Sequence, residues 1–224
     1  MDKPTEATPT SFREVLAEFV GTAMLLVLIV GSGRQVEAFG LDPSAQFLAH
    51  SVSVGLGLAV LVAIFLGVSG AQFNPAVTLV AWWTREITLD RVVAFIPAQL
   101  AGAVVGVGLA NVMFGDAIVE VGSNAREGAF VGEAVATFLL VLAIFALVRQ
   151  GRQQWLPAAV GGIVAAVMIA TASTAFANPA VTVGRVLTDS YTGIAPSAVP
   201  EFLAGQAIGA LVAGGLALLI WKRD

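Results

Sequence analysis

Six long apolar segments dominate the pattern of hydrophobic and polar positions along the chain. They are separated by short polar stretches, and each has about the 20 residues that an α-helix needs to cross a bilayer. The segments cover approximately 12–31, 45–68, 91–113, 130–148, 156–173 and 199–221. The pattern predicts an all-α membrane protein with six transmembrane helices.

Two further apolar segments, 75–83 and 179–187, are about half the length of a membrane span. Each begins with a proline directly after an asparagine. Asparagine is a preferred N-cap and proline is favoured at the first helical position, so each Asn-Pro pair predicts the start of a helix. We therefore expect two half-helices that enter the membrane and turn back.

The two halves of the chain repeat one another. The sequence Asn-Pro-Ala-Val-Thr occurs at 74–78 and again at 178–182. A glutamate in the first span and a glutamine in the third span of each half also match: Glu18, Glu133, Gln99 and Gln206. Three spans per half is an odd number, so the halves should insert with opposite orientation. The sequence predicts one domain, 1–224, with repeat halves of about 12–115 and 127–222.

Composition supports a membrane protein and narrows its chemistry. Of the 224 residues 58% are hydrophobic and 12% charged, too few charges for the surface of a soluble domain. With no cysteine and one histidine, we expect no disulfide, no metal site and no cofactor. The absence of a basic patch argues against a nucleic-acid partner, and no pattern indicates an enzyme.

Basic residues should mark the cytoplasmic side. If both termini share one face, that face carries Lys3, Arg13, Arg85, Arg91, Arg149, Arg152, Lys222 and Arg223. The opposite face carries only Arg34, Arg126 and Arg185. The sequence therefore predicts a multi-pass protein of the inner membrane with both termini in the cytoplasm.

Opposed half-helices would meet by their N-termini near the bilayer centre, where each end carries a partial positive charge. The two asparagines should cap these ends and donate amide protons into a lumen, so that neutral solutes with oxygen acceptors pass and cations do not. The expected pore centre consists of Asn74, Pro75, Ala76, Asn178, Pro179 and Ala180.

These features resemble the aquaporin (major intrinsic protein) family over nearly the whole chain. The matching segments are Ala-Glu-Phe-Val-Gly-Thr at 17–22, Ser-Gly-Ala-Gln-Phe-Asn-Pro-Ala-Val-Thr at 69–78, the second Asn-Pro-Ala and Gly184. The resemblance implies a homotetramer in the lipid bilayer with one pore per subunit, passing small neutral solutes passively. It also implies that Glu18 and Glu133 bind the loops entering the half-helices, which we favour over a proton relay.

The resemblance further implies an outer filter of four residues, usually including an Arg three positions after the second Asn. Here that position is Val181. Counting back from the two Asn-Pro pairs places the other filter positions at Val54, Ala166 and Ala175. This set contains no Arg, no His and no aromatic ring, so we expect a wide, apolar filter that disfavours strict water selectivity and ordinary glycerol selectivity.

The stretch 178–189, with 192–196 and 199–202, resembles a bacterial aquaglyceroporin-like branch linked with arsenic resistance. This likeness implies As(OH)₃ or a methylated arsenical as cargo, with glycerol and water as further solutes. His50 lies four residues before Val54, and Arg185 lies four after Val181. Residues four apart share a helix face, so both are expected near the outer mouth.

Two alternatives remain open. One is an ordinary water or glycerol facilitator. The other belongs to a different class, an ion-coupled secondary transporter with broken helices and inverted repeats. Such a carrier needs a site for the coupling ion, and outside Glu18 and Glu133 the spans contain no ionisable group near their middle.

Overall fold

The computed structural model describes residues 10–126 and 128–221. These residues form eight α-helices: α1 (Phe12–Ala38), α2 (Pro43–Ser69), α3 (Pro75–Trp83), α4 (Leu89–Met113), α5 (Ala129–Arg149), α6 (Leu156–Ala170), α7 (Pro179–Gly184) and α8 (Val199–Ile220). Three 3₁₀ turns occupy Gln153–Trp155, Arg185–Leu187 and Pro196–Ala198. Six helical segments are long and apolar enough to cross a membrane, and α3 and α7 are the two short helices. The predicted all-α fold of six spans and two half-helices is confirmed.

Local capping explains where several helices begin and end. Ser11 and Glu14 form a reciprocal capping box at the start of α1. Asp42 caps α2, and Gly70 ends it with a left-handed φ of 89°. The second half-helix is shorter than predicted, because regular α-helix stops at Gly184 and the chain continues as a 3₁₀ turn.

The spans pack as two equivalent pairs, α1 against α4 and α5 against α8, with α2 against α6 between them. Glycines let the paired backbones touch. A Cβ on Gly106 would lie 2.2 Å from the carbonyl oxygen of Ala23, and a Cβ on Gly209 would lie 2.3 Å from that of Ala134. Such close approach through small residues is typical of helices packed in lipid. The half-helices α3 and α7 pack between these pairs, against α4 and α8.

Charged contacts collect at the two ends of the bundle. At one end Arg91 pairs with Glu14, and Arg149 lies 3.3 Å from Glu86. At the other end Arg34 pairs with Asp116. Lys3, Lys222 and Arg223, which were assigned to the cytoplasmic face, lie outside the described residues. Between the ends the outer helix faces are apolar, as on α2 with Leu56, Val60 and Ile64.

Candidate functional site: a channel between two half-helices

The two half-helices begin in the same way. The side-chain oxygen of Asn74 accepts the backbone N–H of Ala76 at 2.9 Å, and that of Asn178 accepts the N–H of Ala180 at 2.9 Å. In each helix proline occupies the first position, where no intrahelical N–H is needed. Both N-termini therefore place a partial positive charge at the point where they meet, while the asparagines already cap the first backbone N–H groups.

The asparagine amides also join the two halves. Nδ2 of Asn74 donates to the carbonyl oxygen of Ala177 at 2.8 Å, and Nδ2 of Asn178 donates to that of Phe73 at 2.8 Å. Each NH₂ group has two protons. Only one proton of each amide is thus left to donate to a solute. From the sequence alone, both protons were expected to be available.

A carboxylate holds the segment that leads into α3. Glu18 accepts the backbone N–H of Gln72 at 3.0 Å and of Phe73 at 2.7 Å, together with the Ser69 hydroxyl. Ala71 and Phe73 have φ of 50° and 49°. The left-handed region costs roughly 1–2 kcal/mol for a residue with a Cβ. The buried glutamate offsets this strain by satisfying the amides of the segment.

Glu133 does the same for α7. It accepts the N–H groups of Phe176 and Ala177, both at 2.8 Å, and Nε2 of Gln206 at 2.6 Å. Ala175 and Ala177 have φ of 46° and 49°. The pairing of carboxylate and glutamine also occurs in the first half, where Nε2 of Gln99 lies 2.8 Å from Glu18.

A cavity of about 340 Å³ runs past this junction. Glu86 and Gln153 line it at one end and Arg185 at the other, with Asn74 and Asn178 between them. Most of its wall is apolar and comes from helix faces with a four-residue spacing: Val54, Leu58, Val62 and Leu66 on α2, and Val160, Val164 and Met168 on α6. A path of this kind suits a small solute that needs few polar contacts.

Three of the four predicted filter positions line the cavity: Val54, Ala175 and Val181. Ala166 does not, because it lies on the exposed face of α6. The cavity face of α6 is set by Val164 and Met168. A residue two positions away points about 200° around the helix. The structure therefore removes Ala166 from the cavity wall, and Met168 lines the cavity near this end of α6 instead.

The predicted filter positions that line the cavity carry neither an Arg nor an aromatic ring, but the cavity wall beside them carries both. Arg185 is 3% exposed and lines the cavity, as does Phe176. The guanidinium carbon of Arg185 lies 3.4 Å from the centroid of the Phe176 ring. Nε of Arg185 donates to the carbonyl oxygen of Thr192. The 3₁₀ turn after α7 brings this arginine back over the ring.

His50, the other residue expected at the outer mouth, does not line the cavity. It is 2% exposed, and it is not among the residues that line the cavity. Its Nδ1 lies 2.8 Å from Ser32 Oγ, and its ring stands edge-on to Tyr191 with 5.9 Å between centroids. Of the two residues expected at the outer mouth, Arg185 lines the wall and His50 is packed behind it.

Arg126 is a residue that sequence reasoning did not place at the site. It donates to Thr174 Oγ1 at 2.6 Å and to the carbonyl oxygen of Tyr191 at 3.2 Å. Its guanidinium carbon lies 5.7 Å from the centroid of Phe176. Burial lowers the pKa of Arg126, against the opposing effect of Tyr191 and Glu133. Arg126 lies far from Phe176 in the sequence, and no motif connects the two residues, so the sequence did not predict this contact.

Six spans around a continuous cavity, with two capped half-helices meeting at its middle, define a helical membrane channel. A family model described as major intrinsic protein matches residues 6–175. The chain belongs to the major intrinsic protein family, whose members are membrane channels rather than enzymes.

Two relatives and one solved structure illustrate the likeness. The chain is 38% identical to Aquaglyceroporin AqpS of Rhizobium meliloti (strain 1021), over 93% of this chain and 89% of that one. It is 33% identical to Aquaporin TIP1-1 of Arabidopsis thaliana, over 98% and 90%. The X-ray structure of the aquaglyceroporin from Plasmodium falciparum matches with a TM-score of 0.74 at 21% identity, covering 91% of this chain and 94% of that one. At that identity the match shows the fold alone.

Proposed function

We propose that this protein is a passive channel for small neutral hydroxylated solutes, namely glycerol and trihydroxy metalloids such as As(OH)₃, and for water. The observation that carries the proposal is the amphipathic outer end of the cavity. Arg185 supplies hydrogen-bond donors there, while Val54, Met168 and Val181 supply an apolar wall. The relatives named aquaglyceroporin support the same solute class.

Arg185 changes the expectation that the filter disfavours glycerol. A polyol needs donors along one wall and apolar surface along the other, and a filter without Arg lacks the donors. Arg185 provides them one turn beyond Val181. A guanidinium cannot accept hydrogen bonds, so it favours the oxygen face of a solute. Glycerol and As(OH)₃ both present hydroxyl oxygens on one side and can turn a less polar side to Val54 and Met168.

The centre of the cavity suits the same solutes. Asn74 and Asn178 each have one amide proton to offer an oxygen. The N-termini of α3 and α7 disfavour a cation. A neutral solute with several oxygens can therefore pass from the donors of Arg185 to those of the asparagines.

The ion-coupled carrier finds less support. Glu18 and Glu133 are each engaged by at least three donors within the described residues. Carboxylates held in this way support loops and leave little capacity for a coupling ion. An ordinary water facilitator would differ from the proposed channel only in having a narrower cavity. Replacing Met168 changes the width of the cavity and so separates the two.

The assembly and orientation complete the proposal. A homotetramer would bury part of the apolar helix faces that the single chain exposes. The end of the bundle that carries Arg91 and Arg149 would face the cytoplasm, with both termini on that side of the inner membrane.

Stopped-flow measurements in proteoliposomes test the proposal with a panel of water, glycerol, arsenite and dimethylarsinic acid. Met168→Trp should lower glycerol and arsenite flux much more than water flux, because a ring there narrows the amphipathic end. Ala166→Trp is the matched control on the exposed face of α6, and it should change neither. Glycerol flux equal to that of protein-free liposomes would refute the proposal, and uptake driven by a proton or sodium gradient would establish the carrier.

A further inference from the structure

Two arginines meet one aromatic ring at the outer end of the cavity. The guanidinium carbons of Arg185 and Arg126 lie 3.4 Å and 5.7 Å from the Phe176 centroid. Phe176 is itself fixed by packing on Phe202, with ring centroids 4.5 Å apart. Such a cation–π contact orients a guanidinium group without using its N–H groups, and those of Arg126 already donate to Thr174 and Tyr191.

Neither arginine has a carboxylate partner among the described residues. The ion pairs found there involve other arginines: Arg34, Arg91 and Arg149. The acid whose charge acts on both Arg126 and Arg185 is Glu133. Its oxygens already accept three hydrogen bonds. One carboxylate thus faces two arginines, and the positive charge left over costs free energy that an anion from solution would recover.

Arg185 directs its free donors into the cavity. Nε donates to Thr192, but Nη1 and Nη2 have no acceptor within 10–126 and 128–221. Neither Nη atom belongs to the buried polar atoms that lack a partner, so both reach the open space that Arg185 lines. Adjacent guanidinium N–H groups match two oxygens of one oxyanion.

We propose that Arg185, with Arg126 and the Phe176 ring, forms a binding site for a small monovalent oxyanion at the outer end of the channel. The class comprises carboxylates, sulfonates and methylated oxyacids in their ionised form. The apolar wall beside the arginine, with Val181 and Met168, accommodates the single methyl group of such an ion. The inference deepens the proposed channel function, because an anion held there stands in the path of neutral solutes and competes with them.

Methanesulfonate is the probe, since it stays ionised at any usable pH. Its binding to the full-length, detergent-solubilised protein is measured by equilibrium dialysis of the labelled ion, with dimethyl sulfone as the neutral compound of similar shape. We expect saturable binding of methanesulfonate alone, weakened at least tenfold by Arg185→Gln and less strongly by Arg126→Gln. Arg185→Lys keeps the positive charge but loses the paired guanidinium N–H groups. Its affinity for methanesulfonate should therefore fall between those of the parent and Arg185→Gln.

Arg34→Gln is the matched control, because Arg34 lies at the same end but already pairs with Asp116 and Glu120. It should bind as the parent does. Equal affinity in the parent and Arg185→Gln, or equal binding of dimethyl sulfone, would overturn the proposal. The folding of each variant is first checked by size-exclusion chromatography. If Arg185→Gln fails to fold, Arg185→Lys replaces it as the test variant.

A flux experiment separates this site from the channel function itself. In proteoliposomes, methanesulfonate should slow glycerol entry competitively compared with chloride of equal osmolality, and Arg185→Gln should abolish that inhibition. Glycerol flux in the parent without inhibition by methanesulfonate would reject the anion site and leave the channel standing. Absence of any glycerol flux, with methanesulfonate bound in detergent, would reject the channel function and leave the site.

Discussion

Replacing Glu133 by Gln tests whether a buried carboxylate holds the second half-helix in place. The two oxygens of Glu133 serve three donors: Oε1 accepts the N–H of Phe176, and Oε2 accepts the N–H of Ala177 and Nε2 of Gln206. Glutamine has nearly the same shape but only one acceptor oxygen. Its NH₂ group must face at least one of these donors.

The cost follows from counting the donors that lose their partner. If the new oxygen takes the place of Oε2, the N–H of Phe176 is orphaned and the new amide also lacks an acceptor. Each unsatisfied buried group costs about 1–3 kcal/mol, so Glu133→Gln should destabilise the protein by about 2–6 kcal/mol. By the scaling of soluble proteins of 150–250 residues, this lowers the Tm by roughly 4–24 °C.

Thermal unfolding of the detergent-solubilised protein, followed by intrinsic fluorescence, measures the effect. Glu201→Gln is the matched control, because Glu201 also accepts a backbone N–H, from Phe130 at 3.1 Å, but in an exposed place. That change should alter stability by about 0.5 kcal/mol or less. A loss in Glu133→Gln no larger than that in Glu201→Gln would refute the supporting role of the buried carboxylate.

Three further predictions concern the barrier, the packing and inhibition. Asn178→Asp places a carboxylate against a positive helix end and should raise cation conductance in planar bilayers above that of the parent. Gly209→Ala should lower the Tm, since its Cβ would meet a backbone oxygen at 2.3 Å, whereas Gly67→Ala has open space and should leave the Tm unchanged or raise it. Mercurial reagents should not inhibit water flux through a thiolate, because the chain contains no cysteine; inhibition reversed by added thiol would contradict this.

The sequence predicted the fold well because its signals are local. Apolar length identifies a span, and an Asn-Pro pair marks a helix start, whatever surrounds it. The half-helix α3 was predicted with the bounds that the structure shows, 75–83. The end of α7 was missed because a single glycine, here Gly184, lowers helix propensity but is also tolerated inside a helix. The change to a 3₁₀ turn after Gly184 accompanies contacts such as the one between Arg185 and Thr192.

The candidate site was harder to predict because it depends on contacts between residues that lie far apart in the sequence. The assignment of Ala166 assumed a usual length for the segment before Asn178. In the structure that segment contains left-handed residues at Thr174, Ala175 and Ala177. Its actual path brings Met168 to the cavity instead. Such backbone conformations are rare for residues with a Cβ, so a count along the sequence does not anticipate them.

The position of the positive charge explains how one cavity can serve both donors and apolar contacts. Family resemblance puts an arginine at Val181, where it would narrow the passage. Here Val181 leaves that level open, and Arg185 stands one turn further out, with its guanidinium flat on Phe176. In the proposed channel, Arg185 holds the oxygens of an entering solute while the less polar side of the same solute turns to Val54 and Met168. The amides of Asn74 and Asn178 donate to those oxygens only deeper in the cavity, so the positive charge and the central donors act in succession.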